Sequence, residues 1–225
     1  MLLVALSCLQ GRPMDEAFVA LSPLAGGVQL TPGNLPSPSL ASLIEAYGSE
    51  RVRHHHTFAY DAPKRAIYSR DGSMVRTLDR WSVHPPLARE ELFYDRWFQL
   101  ACEAPWSTEL MYPGEWLGTG RELERAMSAR MPLAVDVSHL FIQRSAGAID
   151  DRTLARVLDY DNVTEVHVSA NDGARDTHQP LSSRSFGLEW ARDKLRAGAP
   201  VVLECYMHRL SLDERRRQVD LLRSC

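Results

Sequence analysis

The stretch "EVHVSANDGARDTH", residues 165–178, carries His167 and then Asp176 and His178 two residues apart, just past an apolar run. Imidazoles and carboxylates at the mouth of a buried strand are costly unless something there needs nitrogen and oxygen donors. The same residue types recur at comparable places. "RHHHTF" holds His54, His55 and His56, "SVHPP" holds His84, and "TELMYPG" holds Glu109. "AVDVSHL" spaces Asp136 and His139 as D-x-x-H, and "PVVLEC" holds Glu204. Taken singly, each has an ordinary reading: a buried histidine satisfied by a carbonyl, or an aspartate capping the next helix. Taken together they would cost several kcal/mol per charge in desolvation and repulsion, which a divalent cation converts into attraction.

Imidazole mixed with carboxylate, and no cysteine at these positions, suits zinc, manganese or iron rather than a thiolate-bound structural zinc. Counting one histidine from the triplet, the nine donors His55, His84, Glu109, Asp136, His139, His167, Asp176, His178 and Glu204 exceed what one ion takes. Two or three divalent ions sharing bridging carboxylates would absorb them. Glu109, Glu204 and His139 are the candidate catalytic residues, the two glutamates as bridges. The spacing alone leaves open which of His54, His55 and His56 is the ligand, and His55 is chosen on the phenylalanine three residues later.

Elements that would bring such donors together can be read from apolar, β-branched runs bounded by turn residues. Strands are predicted at 2–7, 27–32, 51–58, 80–86, 107–113, 132–140, 163–169 and 200–207. Helical patterns fall at 14–22, 38–47, 88–103, 119–130, 151–159, 184–197 and 211–223. Strand and helix alternating to a count of eight predict a compact (β/α)8 TIM barrel. The weak unit is 59–79, where Pro, Gly and charge support at most a short helix. In such a barrel the carboxyl ends of the strands meet at one mouth, which is where the donors fall.

The composition fits this reading. The chain has 225 residues, 44% hydrophobic and 24% charged, enough for one core spanning 1–225 as a single domain. With 26 basic against 29 acidic residues the net charge is −3, which lends no support to a phosphate-backbone partner. The apolar start "MLLVALSCLQGR" lacks a basic n-region and reads as the first strand, and no segment reads as a membrane span. Four scattered cysteines form no CxxC pair, so a disulfide framework is not expected and a reducing cytoplasm is the expected home.

In order along the strands, H, H-P, E, D-x-x-H, H, D-x-H and E resemble the metal constellation of the endonuclease IV family within the xylose isomerase-like TIM-barrel superfamily. The similarity runs from about residue 27 to the C-terminus and is most specific over 132–215. It implies three zinc ions held by the nine residues named above. "LAVDVSHLFIQRSAG", "DTHQP" and "VVLEC" also resemble the DUF692 family, multinuclear iron enzymes that oxidise cysteines in ribosomally made peptides and usually work with a partner protein. Here the step from His167 to "DTH" is shorter than in that family. The loops "SCLQGRPMDE" and "TPGNLPSPS" offer one arginine and no aromatic wedge for a minor groove, so with the acidic charge DNA is not the expected substrate. The superfamily's sugar isomerases need only the donors of strands five to eight and one ion.

The expected activity is therefore metal-dependent hydrolysis of a phosphoester or similar oxygen-rich group in a small-molecule or peptide-sized substrate. An iron-dependent oxidase and a single-metal sugar (phosphate) isomerase or epimerase are the alternatives.

Overall fold

A computed structural model, describing residues 1–57, 81–86 and 94–224, closes the eight strands into one barrel in which every neighbouring pair is parallel. The strands are β1 (Leu2–Ala5), β2 (Gly27–Leu30), β3 (Val52–Thr57), β4 (Trp81–His84), β5 (Ser107–Glu109), β6 (Leu133–Asp136), β7 (Val163–Val168) and β8 (Val201–Leu203). Order around the barrel follows order along the chain, and β1 closes on β8 through Leu3 against Val202. The helices are α1 (Met14–Leu21), α2 (Leu40–Tyr47), α3 (Tyr94–Glu103), α4 (Gly120–Ser128), α5 (Val137–Ser145), α6 (Asp151–Leu158), α7 (Leu188–Arg196) and α8 (Leu212–Arg223). The weak unit at 59–79 and the start of the helix predicted at 88–103 lie outside the described residues.

Most helices turn an apolar stripe toward the sheet and a charged one toward water. Along α6, Leu154 and Val157 are buried at a spacing of three, while Arg152 and Arg156 are exposed. Burying a side chain of the size of Leu154 contributes roughly 1.5–3 kcal/mol. Two apolar clusters result. One packs α1, α2, α7 and α8 around β1, β2 and β8, and the other packs α3, α4 and α6 around β6 and Leu110, the residue after β5. Capping boxes at Thr119 with Glu122 and at Ser211 with Glu214 start α4 and α8. Gly27 is required by close approach, since a Cβ there would collide with the carbonyl of Arg51, the residue just before β3.

One predicted element is corrected. The strand expected at 132–140 stops at Asp136, and Val137 begins α5, a helix absent from the sequence reading. The Asp136 carboxylate accepts the backbone N–H groups of Ser138 at 2.6 Å and His139 at 3.2 Å, so it caps the helix. Its first turn is buried on all sides, at Val137, Ser138, His139 and Leu140, which erases the period that distinguishes helix from strand in sequence. His139 consequently sits in a helix rather than on a strand. The strands predicted at 107–113 and 200–207 are likewise shorter, ending at Glu109 and Leu203.

Candidate metal centre

Glu109, the last residue of β5, is buried at the centre of the barrel mouth. Its Oε2 lies 3.3 Å from His55 Nε2, 3.2 Å from His84 Nε2 and 3.4 Å from His167 Nδ1. His55 reaches it because side chains alternate along β3. His54 points the other way, stacked on Trp81 with ring centroids 4.9 Å apart and planes within 5°, and His56 lies at 6.3 Å from the same ring. Of the three consecutive histidines, His55 alone joins this cluster among the described residues. On the far side, His167 Nδ1 is 3.5 Å from Oε1 of Glu204, the residue after β8. The registers Asp136 against His167 and His167 against Val202 put Asp136, His167 and Glu204 on adjacent strand ends.

The remaining donors form a second group. His139 Nδ1 is 2.9 Å from the Leu110 carbonyl and therefore carries the proton, which turns Nε2 toward Asp176 Oδ2 at 3.3 Å and Asp136 Oδ2 at 3.7 Å. His178 Nε2 lies 3.1 Å from the same Asp176 oxygen. These two residues sit in the loop after β7, whose ends are joined by the Ala170 and Gln179 backbones at 2.7 and 3.0 Å. The Asx turns in that loop belong to Asn171 and Asp172, which leaves the Asp176 carboxylate to the imidazoles. His178 adopts a left-handed φ of 44°, a strained conformation for a residue with a Cβ, and its carbonyl accepts the Tyr206 N–H at 2.7 Å.

Three sets of donors have ligand atoms within 4.8 Å of one another: His55, Glu109 and His167; Glu109, Asp136 and His139; and Asp136, His167 and Glu204. Each pair of sets shares one residue. Glu109 and Asp136 can bridge because a carboxylate has two oxygens, whereas a single ring nitrogen of His167 serves one ion. Whether a cation suits these donors is testable on the polar atoms themselves. Among the described residues, Glu109 Oε2, Asp136 Oδ2, Asp176 Oδ1, His167 Nδ1 and His178 Nδ1 are buried without a hydrogen-bond partner. Orphaned lone pairs in a dry site cost about 1–3 kcal/mol each, so oxygen and nitrogen donors left this way fit a divalent ion.

Electrostatics follow the same geometry. Burial alone would raise the Glu109 pKa, but His167, His84 and His55 hold it well below the usual carboxylate range. Burial pushes Glu204 up to about 7, helped by the charges of Glu109 and Asp136 against the pull of His167. For His139, the lowering from burial is outweighed by Asp136, Asp176 and Glu109, which raise it to about 10. His178 rises to about 9 because its partner Asp176 overcomes burial. His55 moves well down, with burial the largest cause.

Several residues escaped the sequence reading. Glu165 lies two before His167 on β7 and is fully buried beneath it; the E-x-H spacing, which puts both side chains on one face of a strand, was the available signal. Gln29, a polar residue in the apolar run of β2, was another. Tyr112 sets its ring edge against His139 at 5.1 Å, and Tyr206 lies 5.1 Å from His178. Trp116 instead stacks on Tyr94 at 3.9 Å, within the packing of α3. The barrel and these buried groups are compatible with an enzyme. Among the described residues no helix is long and apolar enough to cross a membrane. No protein-family model and no curated protein matches the chain.

Proposed function

We propose that this chain is a multinuclear metal-dependent enzyme that hydrolyses a phosphoester or a similar oxygen-rich group in a small or peptide-sized substrate. The observation that carries the reading is the overlap of the donor sets through Glu109 and Asp136, each a carboxylate with two oxygens that can serve two ions. A single-ion isomerase would need one set and would leave the His139, Asp176 and His178 group without a purpose.

Divalent cations in such a centre lower the pKa of water and polarise phosphoryl oxygens, which is the chemistry this reaction requires. The residues of the chain divide the remaining work. Glu109 and Asp136 hold the sets together, and His55, His167 and Glu204 form the dry floor. His84, with 36% of its side chain exposed, and the partly exposed Asp176 and His178 form the edge from which a substrate is met. Tyr206 beside His178 gives that edge an apolar ring with a polar tip.

Elemental analysis of protein purified anaerobically tests the reading, paired with hydrolysis of an activated phosphodiester such as bis(p-nitrophenyl) phosphate. Two or three zinc ions per chain, with turnover abolished by EDTA and restored by zinc, are expected. Two or three irons with oxygen consumption would replace hydrolysis by oxidation, and one manganese would replace it by isomerisation.

A further inference from the structure

Beneath the donor cluster the barrel interior holds a second polar layer. The buried Glu165 carboxylate receives the Arg53 guanidinium, Gln29 Nε2 at 2.7 Å and His167 Nε2 at 2.7 Å. Ser82 Oγ in turn lies 2.9 Å from His55 Nδ1 and 3.3 Å from Gln29 Nε2. One continuous network thus crosses β2, β3, β4 and β7 and ends on two imidazoles that share a donor set with Glu109.

Donor and acceptor counting settles the protons. A carboxylate facing a guanidinium is an anion and only accepts, so each group turned toward it must donate. His167 therefore carries a proton on Nε2. In a neutral imidazole that leaves the lone pair on Nδ1, the atom facing Glu109 Oε2 at 3.4 Å and Glu204 Oε1 at 3.5 Å. Ser82 Oγ accepts from Gln29 Nε2 and meets His55 Nδ1, which ties His55 to the same network, with His55 Nε2 3.3 Å from Glu109 Oε2.

We infer that Glu165 is a positioning residue: it imposes the tautomer of His167, so that this imidazole presents its cation-binding lone pair toward Glu109. The inference rests on the metal reading above. A merely structural Glu165 would neutralise Arg53 and influence stability alone. A positioning Glu165 also makes His167 a stronger donor, as buried carboxylates do for ligating imidazoles.

The test uses zinc chloride and full-length protein labelled with nitrogen-15 at histidine. In the zinc-loaded wild type the ring spectrum should show His167 protonated at Nε2, with slow exchange, and zinc at Nδ1. Glu165→Gln keeps the shape but removes the charge and supplies an N–H that can face the ring, so the tautomer is no longer imposed. Zinc affinity, measured by competition with a chromophoric chelator, should weaken by about 10–100-fold. Ser82→Ala, which removes a contact to His55 and Gln29 and leaves the bond between Glu165 and His167 in place, should weaken it less. Affinity within twofold of wild type in Glu165→Gln would overturn the inference while leaving the metal reading intact. So would a wild-type His167 protonated at Nδ1, a measurement that needs no variant and decides the matter if Glu165→Gln fails to fold. Wild-type protein that takes up no zinc would overturn both.

Discussion

Replacing Asp176 and His178 together by alanine should remove about one cation per chain and leave the barrel standing. The side chains are 17% and 23% exposed, and their mutual contact of 3.1 Å lies at the mouth. The pair is mostly shielded from water, so its loss costs folding more than the about 0–1 kcal/mol of an exposed pair. Their backbone is held by the Ala170 and Gln179 pairing and by the Tyr206 N–H on the His178 carbonyl, none of which alanine removes. The left-handed φ of residue 178 is strained with either side chain. Melting should therefore drop by no more than about 2–4 °C for each kcal/mol lost in a chain of this length. The effect on metal is larger, because His139 Nε2 would keep only Asp136 Oδ2, at 3.7 Å, among its carboxylate partners. The sets of His55, Glu109 and His167 and of Asp136, His167 and Glu204 are untouched, while that of Glu109, Asp136 and His139 keeps its own members but loses the Asp176 oxygen beside His139 Nε2. Mass-spectrometric metal analysis after gel filtration, alongside a thermal melt, reads both quantities. A folded double variant with the full wild-type complement would refute the reasoning, and so would one that holds no metal at all.

Asp136→Asn should separate folding from metal binding. The amide oxygen still accepts the Ser138 and His139 N–H groups, so thermal stability should stay within about 1 kcal/mol, while two of the three donor sets lose a charged member and metal content drops. In EDTA-treated protein, His139 raised to about 10 and His178 raised to about 9 contribute stability that is fully present below their unfolded pKa of about 6.5. It is lost as pH rises through the folded values, so melting temperature should fall between about pH 7 and 9; equal slopes with and without zinc would refute this. Cys8 and Cys205 should stay silent to a thiol reagent at neutral pH until the protein unfolds, because burial raises the Cys8 thiol well above its ordinary value and pushes Cys205 up to about 12. Fast native labelling of either, located by peptide mapping, would contradict the packing around β1 and β8.

The eight strands were legible in the sequence because short apolar runs bounded by turn residues survive even in a barrel whose interior is partly polar. Helix α5 was not legible. Val137, Ser138, His139 and Leu140 are all buried, so the chain offers no polar face from which a period of 3.6 could be read. The donors on strand ends could be found by residue type, but choosing among His54, His55 and His56 requires knowing which face of β3 turns inward. Alternation divides the triplet without saying which side is which. Glu165 was passed over for a related reason: within "VTEVHV" it reads as the polar half of an alternating strand. Only barrel closure reveals that its face meets Gln29 and Arg53 rather than water.

The loop that carries Asp176 and His178 is closed at its stem before it reaches the donors, since Ala170 and Gln179 exchange both backbone hydrogen bonds. A stem of this kind uncouples the length of the loop from the architecture that bears it. Doubling the enclosed segment would cost only about 0.6 kcal/mol in closure entropy and would move no strand. The Asp176 and His178 donors are therefore a graft on a finished barrel. Lengthening, trimming or exchanging residues 171–178 gives a route, in evolution or in the laboratory, to change how many ions the mouth holds and what substrate it meets while the Glu109 floor stays as it is.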